Sequence, residues 1–299
     1  MPNGILIIDK PSGWTSMDVC AKIRGILHEK RVGHGGTLDP MATGVLPVFV
    51  GQATRAAEFA ENSRKEYVAG LRLGQVTDTQ DVSGETLETR PVTASRAEVE
   101  AAMARFLGPI RQVPPMYSAV WVNGQRLYDL AREGREVERE PRPVEVHRLE
   151  LVRAEEEKHL YTVEVSCSKG TYIRTICHDI GRLLGCGASL TALRRTQSSG
   201  WRVEEAITIP RAQELADRGE LESALLPVES AFLLYPELVL SRKDSGHFVN
   251  GVRMTARRFR VGPENGTMRI KSEDGAFLGL GVVDGPSGEL RLIKLFAER

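Results

Sequence analysis

The chain has 299 residues with 40 Lys/Arg against 40 Asp/Glu, and a formal net charge of zero argues on its own against a nucleic-acid binder. No run of about 18 apolar residues occurs, which excludes a membrane-spanning helix, and the start lacks a basic region followed by a long apolar stretch, so no secretory signal is predicted. Cys20, Cys167, Cys177 and Cys186 are too sparse for a disulfide scaffold and form no C-x-x-C pair, so they read as reduced structural thiols of a cytoplasmic protein long enough for a main domain plus a smaller one.

Residues 5–8, Ile-Leu-Ile-Ile, predict a short buried strand. Ser16 is expected to cap a helix on which Val19, Ile23, Ile26 and Leu27 recur at helical spacing. The run GHGGTLDPMATGVLP at 33–47 then sets one carboxylate, Asp39, between a glycine-rich approach and a turn. Pro40 fixes its own φ and pushes Asp39 toward an extended conformation, so the acid sits on a stiff, non-helical support. Such a support suits a reactive group; it also suits a turn aspartate that only accepts from backbone N–H groups.

Residues 67–73 read as a strand that ends in a turn region at 77–84. Ser95 and Glu98 form a capping box ahead of a helix with Val99, Met103, Phe106 and Leu107 on one face, closed by Gly108 and Pro109. Residues 113–143, with Tyr117, Trp121, Tyr128 and many charges, predict either a mobile loop-helix insertion or a long surface loop. Residues 161–167 alternate as a strand and lead into a helix with Ile173, Ile176, Cys177, Ile180, Leu183 and Leu184 facing inward. Arg174 falls in the first turn of that helix, where free N–H groups favour anions, so either an acidic partner or plain solvation accounts for it.

Charge is uneven along the chain. Residues 166–202 carry six Lys/Arg against one Asp, residues 203–235 carry two against seven acids, and 236–299 carry eleven against eight. The first stretch is either a basic strip that grips one RNA shape or a set of solvated arginines. From residue 236 short strand patterns alternate with glycine turns, and a segment at 247–254 is read with them; together they suggest a small β-barrel.

Five of these motifs, in order over roughly residues 1 to 202, resemble those of the bacterial tRNA pseudouridine-55 synthases, the TruB family. GHGGTLDPMATGVLPV resembles the catalytic motif, with Gly35 where the family usually has Thr. IDKPSGWTS at 8–16 resembles the first motif, RKEY at 64–67 the tyrosine motif, SKGTYIRT at 168–175 the arginine motif and ALRR at 192–195 the last. The resemblance implies an α+β fold: a pseudouridine synthase catalytic domain over 1–235, with a mixed, largely antiparallel sheet and flanking helices. It also implies an RNA-contacting thumb at 113–143 and a small PUA-like RNA-binding β-barrel over 236–299, for which a plain structural cap is the alternative.

The implied reaction breaks the bond from uracil N1 to the ribose of uridine 55 in the T-arm of tRNA, rotates the base and rejoins it through C5, after flipping the nucleotide out of its stack. Catalytic roles are implied for Asp39, Tyr67 and Arg174. Asp39 would attack the sugar C1′ or the base C6, or assist cleavage electrostatically, with Arg174 keeping it ionised. Tyr67 would stack on the uracil and take part in proton transfer. Substrate binding is implied for His34, filling the gap left by the flipped base, for Lys10, supporting the loop, for Leu193 as an apolar wall, and for Tyr172. No metal or organic cofactor is implied, because the reaction is an isomerisation. The expected partner is the tRNA T-arm stem-loop alone, with no membrane and no obligatory protein partner, bound by a monomer. A tRNA-binding folding chaperone with little or no catalysis is the alternative.

Overall fold

The computed structural model describes residues 1–60 and 64–297. β1 (Gly4–Lys10) leads into α1 (Ser16–Leu27), and β2 (Val32–His34) and β3 (Thr43–Val50) flank the Asp39 loop. After the four-residue α2 (Ala57–Ala60) comes β4 (Lys65–Leu73), while β5 (Gln75–Thr77) and β6 (Thr86–Thr89) pair as a separate ribbon. α3 (Arg96–Ala104) and β7 (Gly108–Gln112) precede a small hairpin of β8 (Trp121–Val122) and β9 (Gln125–Arg126), which runs into α4 (Leu127–Arg132). β10 (Arg142–Glu155), β11 (Leu160–Cys167), α5 (Ile173–Leu183), β12 (Ala188–Ser198), β13 (Trp201–Arg202) and α6 (Ile209–Asp217) complete this part.

The main sheet runs β1-β3-β12-β4-β11-β10-β7, with β2 on β3 and β13 on β12. Its pairs are antiparallel except β3 with β12, where Arg194 faces Thr43 and Arg195 faces Gly44. Only glycine fits at position 44, because φ is +101° and a Cβ would collide with the Arg195 carbonyl oxygen. That close crossing carries the Asp39 loop against the Arg195 strand. One core packs α3 and α5 on the sheet through Val99, Met103, Ile173, Ile176 and Ile180. Another packs α1 and α6 through Val19, Ile23, Ile209 and Ala212.

Several local expectations shift. Thr15, not Ser16, caps α1: its hydroxyl accepts from Asp18 N (3.0 Å) and the Asp18 carboxylate accepts from Thr15 N (2.8 Å). Ser16 faces inward instead, and its hydroxyl accepts from Leu38 N (2.9 Å) and donates to Leu38 O (3.2 Å), tying α1 to the Asp39 loop. α3 stops at Ala104, which leaves Leu107 exposed. Leu183, in the last turn of α5, is 45% exposed and outside the core.

The remaining strands, β14 (Glu237–Leu240), β15 (Met254–Thr255), β16 (Thr267–Ser272), β17 (Phe277–Asp284) and β18 (Glu289–Leu295), form a curled half-barrel ordered β14-β16-β17-β18-β15, consistent with a PUA-like domain. Most of the segment read as extended at 247–254 belongs instead to α7 (Arg242–Val249) and the turn after it. Ser241 caps that helix by accepting from Asp244 N (3.2 Å), and Phe248 is buried beneath it. Phe277 and Phe296 of this sheet close on Phe232, with ring centroids 5.7 and 5.3 Å away, and Phe59 meets Phe232 edge-on at 5.7 Å. No helix among the described residues is long and apolar enough to cross a membrane.

Candidate active site

Asp39 lies between β2 and β3 in a turn closed by Ala42 N donating to Asp39 O (3.0 Å). Its side chain is 30% exposed, and its Oδ1 accepts from Nη2 of Arg174 at 3.2 Å. Among the described residues no backbone N–H of the turn donates to that carboxylate, so the geometry is that of an ion pair and not of an aspartate turn. Burial pushes the Asp39 pKa above the ordinary carboxylate range; Arg174 and Lys10 pull it down and Asp81 pushes it up, without reversing the shift. Arg174, as the ion-pair partner, is the largest influence favouring the ionised form.

Arg174 sits in the first turn of α5 and is 4% exposed. Its Nη2 also donates to Tyr117 O (2.7 Å) and its Nη1 to Thr79 O (3.5 Å), with the Asp81 carboxylate 4.0 Å from Nη1. The Tyr172 ring packs against the guanidinium at 5.7 Å. Tyr172 is held in turn by Gln112, whose side chain accepts from Tyr172 N (2.8 Å) and donates to Tyr172 O (3.0 Å).

Two further cations pin the loop from opposite ends. Lys10, fully buried at the end of β1, donates through Nζ to Pro11 O (2.9 Å), Trp14 O (2.6 Å) and Pro40 O (3.2 Å). Burial lowers its pKa to about 8. Arg195, fully buried on β12, donates to Val45 O (2.7 Å), Gly36 O (3.2 Å) and Thr37 O (3.4 Å). The residue just after Asp39 is thus held by Lys10, and the residues two and three before it by Arg195.

Tyr67 on β4 is buried, and burial pushes its phenol up to about 12 in spite of a hydrogen bond from Arg195. Its hydroxyl keeps its proton at neutral pH. His34, half-buried on β2, has no hydrogen-bond partner for Nδ1 among the described residues. Burial, and then the Arg195 charge, lower its pKa, so the ring is neutral. Leu193 is buried beside Ala69 in the β12–β4 pairing.

Arg174, Lys10 and Tyr172 thus gather directly around Asp39 or its loop, and Tyr67 and His34 join them through Arg195. Arg195 and Asp81 are additions that sequence reading did not single out. Asp81 is buried in the 77–84 turn, where Oδ1 accepts from Thr79 Oγ1 (2.9 Å) and Ser83 N (2.9 Å). The run of positive charge at 166–202 is divided between interior and surface, with Lys169, Arg182 and Arg202 exposed. Arg174 and Arg195 are buried, while Arg194 pairs with Asp9 (2.8 Å), Arg182 with Asp179 (3.6 Å) and Arg202 with Glu204 (3.6 Å).

Residues 24–173 match the model of the TruB family pseudouridylate synthase N-terminal domain, and residues 174–233 that of the tRNA pseudouridylate synthase B C-terminal domain. The tRNA pseudouridine synthase B of Pseudomonas putida strain GB-1 is 42% identical over 297 residues, covering 98% of this chain and 96% of the relative. That of Pseudomonas aeruginosa strain UCBPP-PA14 is 42% identical over the same shares. A solved H/ACA RNP bound to a substrate RNA containing 2′-deoxyuridine holds a chain of the same fold, with a TM-score of 0.76 at 24% identity, covering 100% of this chain and 86% of that one.

Proposed function

The chain belongs to the TruB family of pseudouridylate synthases, and from that premise we propose that it isomerises uridine 55 in the T-arm of tRNA to pseudouridine. The observation that carries the reading is the Arg174–Asp39 pair, 3.2 Å apart on a loop whose backbone is held by Lys10 and Arg195.

In this reading the target nucleotide is flipped into the site at a cost of a few kcal/mol. Asp39 in its ionised form then acts at C1′ or C6 or assists cleavage electrostatically, the N1–C1′ bond breaks, and the base turns. C5 bonds to C1′, its hydrogen leaves as a proton, and N1 gains one, so no electrons are gained or lost. Tyr67, protonated and oriented by Arg195, lies under the base as a stacking surface and proton donor. Leu193 and Tyr172 bound the pocket, and neutral His34 occupies the space the base vacated. The isomerisation requires no metal or organic cofactor. The segment 113–143 would act as a thumb against the RNA, and 236–299 as a PUA-like RNA-binding domain beside a catalytic domain over 1–235. The protein would work as a cytoplasmic monomer.

Carbodiimide labelling of a T-arm stem-loop after incubation with the protein tests the assignment. Labelling at position 55, with RNA mass unchanged, is expected; an unmodified stem-loop that the protein nonetheless binds and refolds would replace the reading with that of a chaperone.

A further inference from the structure

The hairpin of β8 and β9 carries an exposed aromatic side chain that the site around Asp39 does not use. Trp121 is 60% exposed on β8, and its cross-strand partner is Arg126 on β9. The Arg126 guanidinium covers the Trp121 ring at 5.2 Å and the Tyr128 ring at 5.7 Å, and it donates to the Tyr128 hydroxyl (3.2 Å). Arg132 packs on Tyr128 at 5.5 Å. The result is a Trp-Arg-Tyr-Arg stack.

Its support is stiff. Asn123 and Gly124 both have positive φ, 50° and 81°, the conformation of a tight two-residue hairpin turn. Leu127 N donates to Val120 O (2.8 Å) and Tyr128 N to Ser118 O (3.0 Å), joining the hairpin to α4. At the root, Tyr117 O accepts from the same Arg174 nitrogen that holds Asp39, and the Tyr117 hydroxyl donates to Asp78 (3.1 Å). The stack therefore stands on a strut that begins one guanidinium away from Asp39.

An exposed tryptophan costs solubility, and a face against Arg126 satisfies only part of it. A phosphate grip does not fit this part of the chain, since residues 113–165 carry eleven acids against eight Lys/Arg. A nucleobase does fit, because every base offers a π-face and stacking needs no positive field. We propose that Trp121, backed by Arg126, is a stacking site for an unpaired nucleobase of the RNA whose target uridine enters the Asp39 site. The inference rests on the RNA-modifying reading above and adds the chemistry of a second contact.

The test compares the parent with W121F and W121A on a T-arm stem-loop RNA and on a blunt RNA duplex of equal length. Trp14 and Trp201, the remaining tryptophans, are half-buried and buried and supply the background emission in W121F. The stem-loop is expected to quench the parent more than W121F, and the duplex to quench both alike. W121A should weaken stem-loop binding about tenfold with an unchanged salt slope, and W121F by about threefold or less. Parent-like affinity in W121A, a flattened salt slope, or Trp121-dependent quenching by the duplex would each overturn the proposal. Pseudouridine in the same stem-loop is read separately. If the parent forms none, the enzyme assignment falls while the fluorescence still decides the stacking site.

Discussion

Around Asp39 the cations are buried and aimed at carbonyl oxygens, whereas the arginines between residues 253 and 260 of the C-terminal half-barrel stand in water. Lys10 and Arg195 are fully buried and Arg174 nearly so, and between them they donate to eight backbone carbonyls. Arg253, Arg257, Arg258 and Arg260 are all exposed, and the Arg258 pair with Asp244 lies at the surface on the arginine side. A buried cation has already given up its hydration, so leaving its partners is costly and it works as a fixture. An exposed arginine holds little in place, since such pairs are worth about 0–1 kcal/mol, and it stays free to meet a phosphate. One residue type thus supplies geometry in one region and diffuse attraction in the other.

The sharpest way to break the comparison is at the one acid that the buried cations surround. Asp39→Asn is nearly isosteric and keeps an acceptor for Arg174, so RNA affinity should stay within about tenfold of the parent, a gap of ~1.4 kcal/mol. Single-turnover formation of pseudouridine should fall by roughly three powers of ten or more. Turnover at the parent rate would make Asp39 a structural residue and end its assignment as the reacting carboxylate.

Arg195→Met comes next in size. It removes the donor to Val45, Gly36 and Thr37 and leaves those carbonyls without that partner, for a loss of about 3–5 kcal/mol of stability in chemical denaturation. It also frees the Tyr67 hydroxyl. Arg195→Lys should recover part of the stability and less of the rate, because an ammonium cannot match the planar donor fork. Equal recovery of both would show that Arg195 supports the fold and nothing more.

Much of this was legible in the residues. Asp39 and Arg174 stood out because glycine, proline and a helix start constrain the backbone around them, but only the family resemblance implied that they act together, and they lie 3.2 Å apart. The strands and helices that pack the sheet were legible where apolar residues alternate or recur. Arg195 was not, although its motif was in view: sequence shows an arginine next to another arginine, and only the β12 pleat decides that Arg195 points in while Arg194 points toward Asp9. Asp81 was hidden in a polar turn, where an aspartate is ordinary. The charge of 166–202 divides in a way no sum over residues reveals, with Arg174 and Arg195 buried and Lys169, Arg182 and Arg202 exposed. The helix α7, which runs into the 247–254 segment, carries Gly246, His247 and one buried apolar residue, Phe248, too weak a period to compete with the flanking strands. The Phe232–Phe277–Phe296 cluster joins elements far apart in the chain, so no local pattern announces that the half-barrel shares a core with the main sheet.

The exposed side of the comparison predicts smaller effects. Replacing Arg257 and Arg260 together by Gln should weaken tRNA binding several-fold at low salt and leave the rate at saturating RNA unchanged. If both meet phosphates, the slope of log affinity against log salt should flatten by about 1–2, and the deficit should shrink as salt rises. A fall in the saturated rate would mean that these arginines position the substrate, and the contrast between regions would weaken.

The smallest expected effect concerns what the buried site costs the fold. Burial raises the Asp39 pKa above that of the unfolded chain, with Arg174 opposing the shift. Between the ordinary carboxylate value and the raised one, the folded state therefore binds more protons than the unfolded state, and stability falls as pH rises through that window. Above it the penalty is complete. Asparagine has no such proton, so thermal melting should show Asp39→Asn at least as stable as the parent near neutral pH, with the difference closing as the pH is lowered toward about 4. Arg174 keeps a hydrogen-bond acceptor in the variant and still lies 4.0 Å from Asp81, so the cation is not left alone. If Asp39→Asn instead melts below the parent at neutral pH and the gap closes in acid, the pair with Arg174 outweighs burial, and the loop stabilises the charge that its chemistry requires.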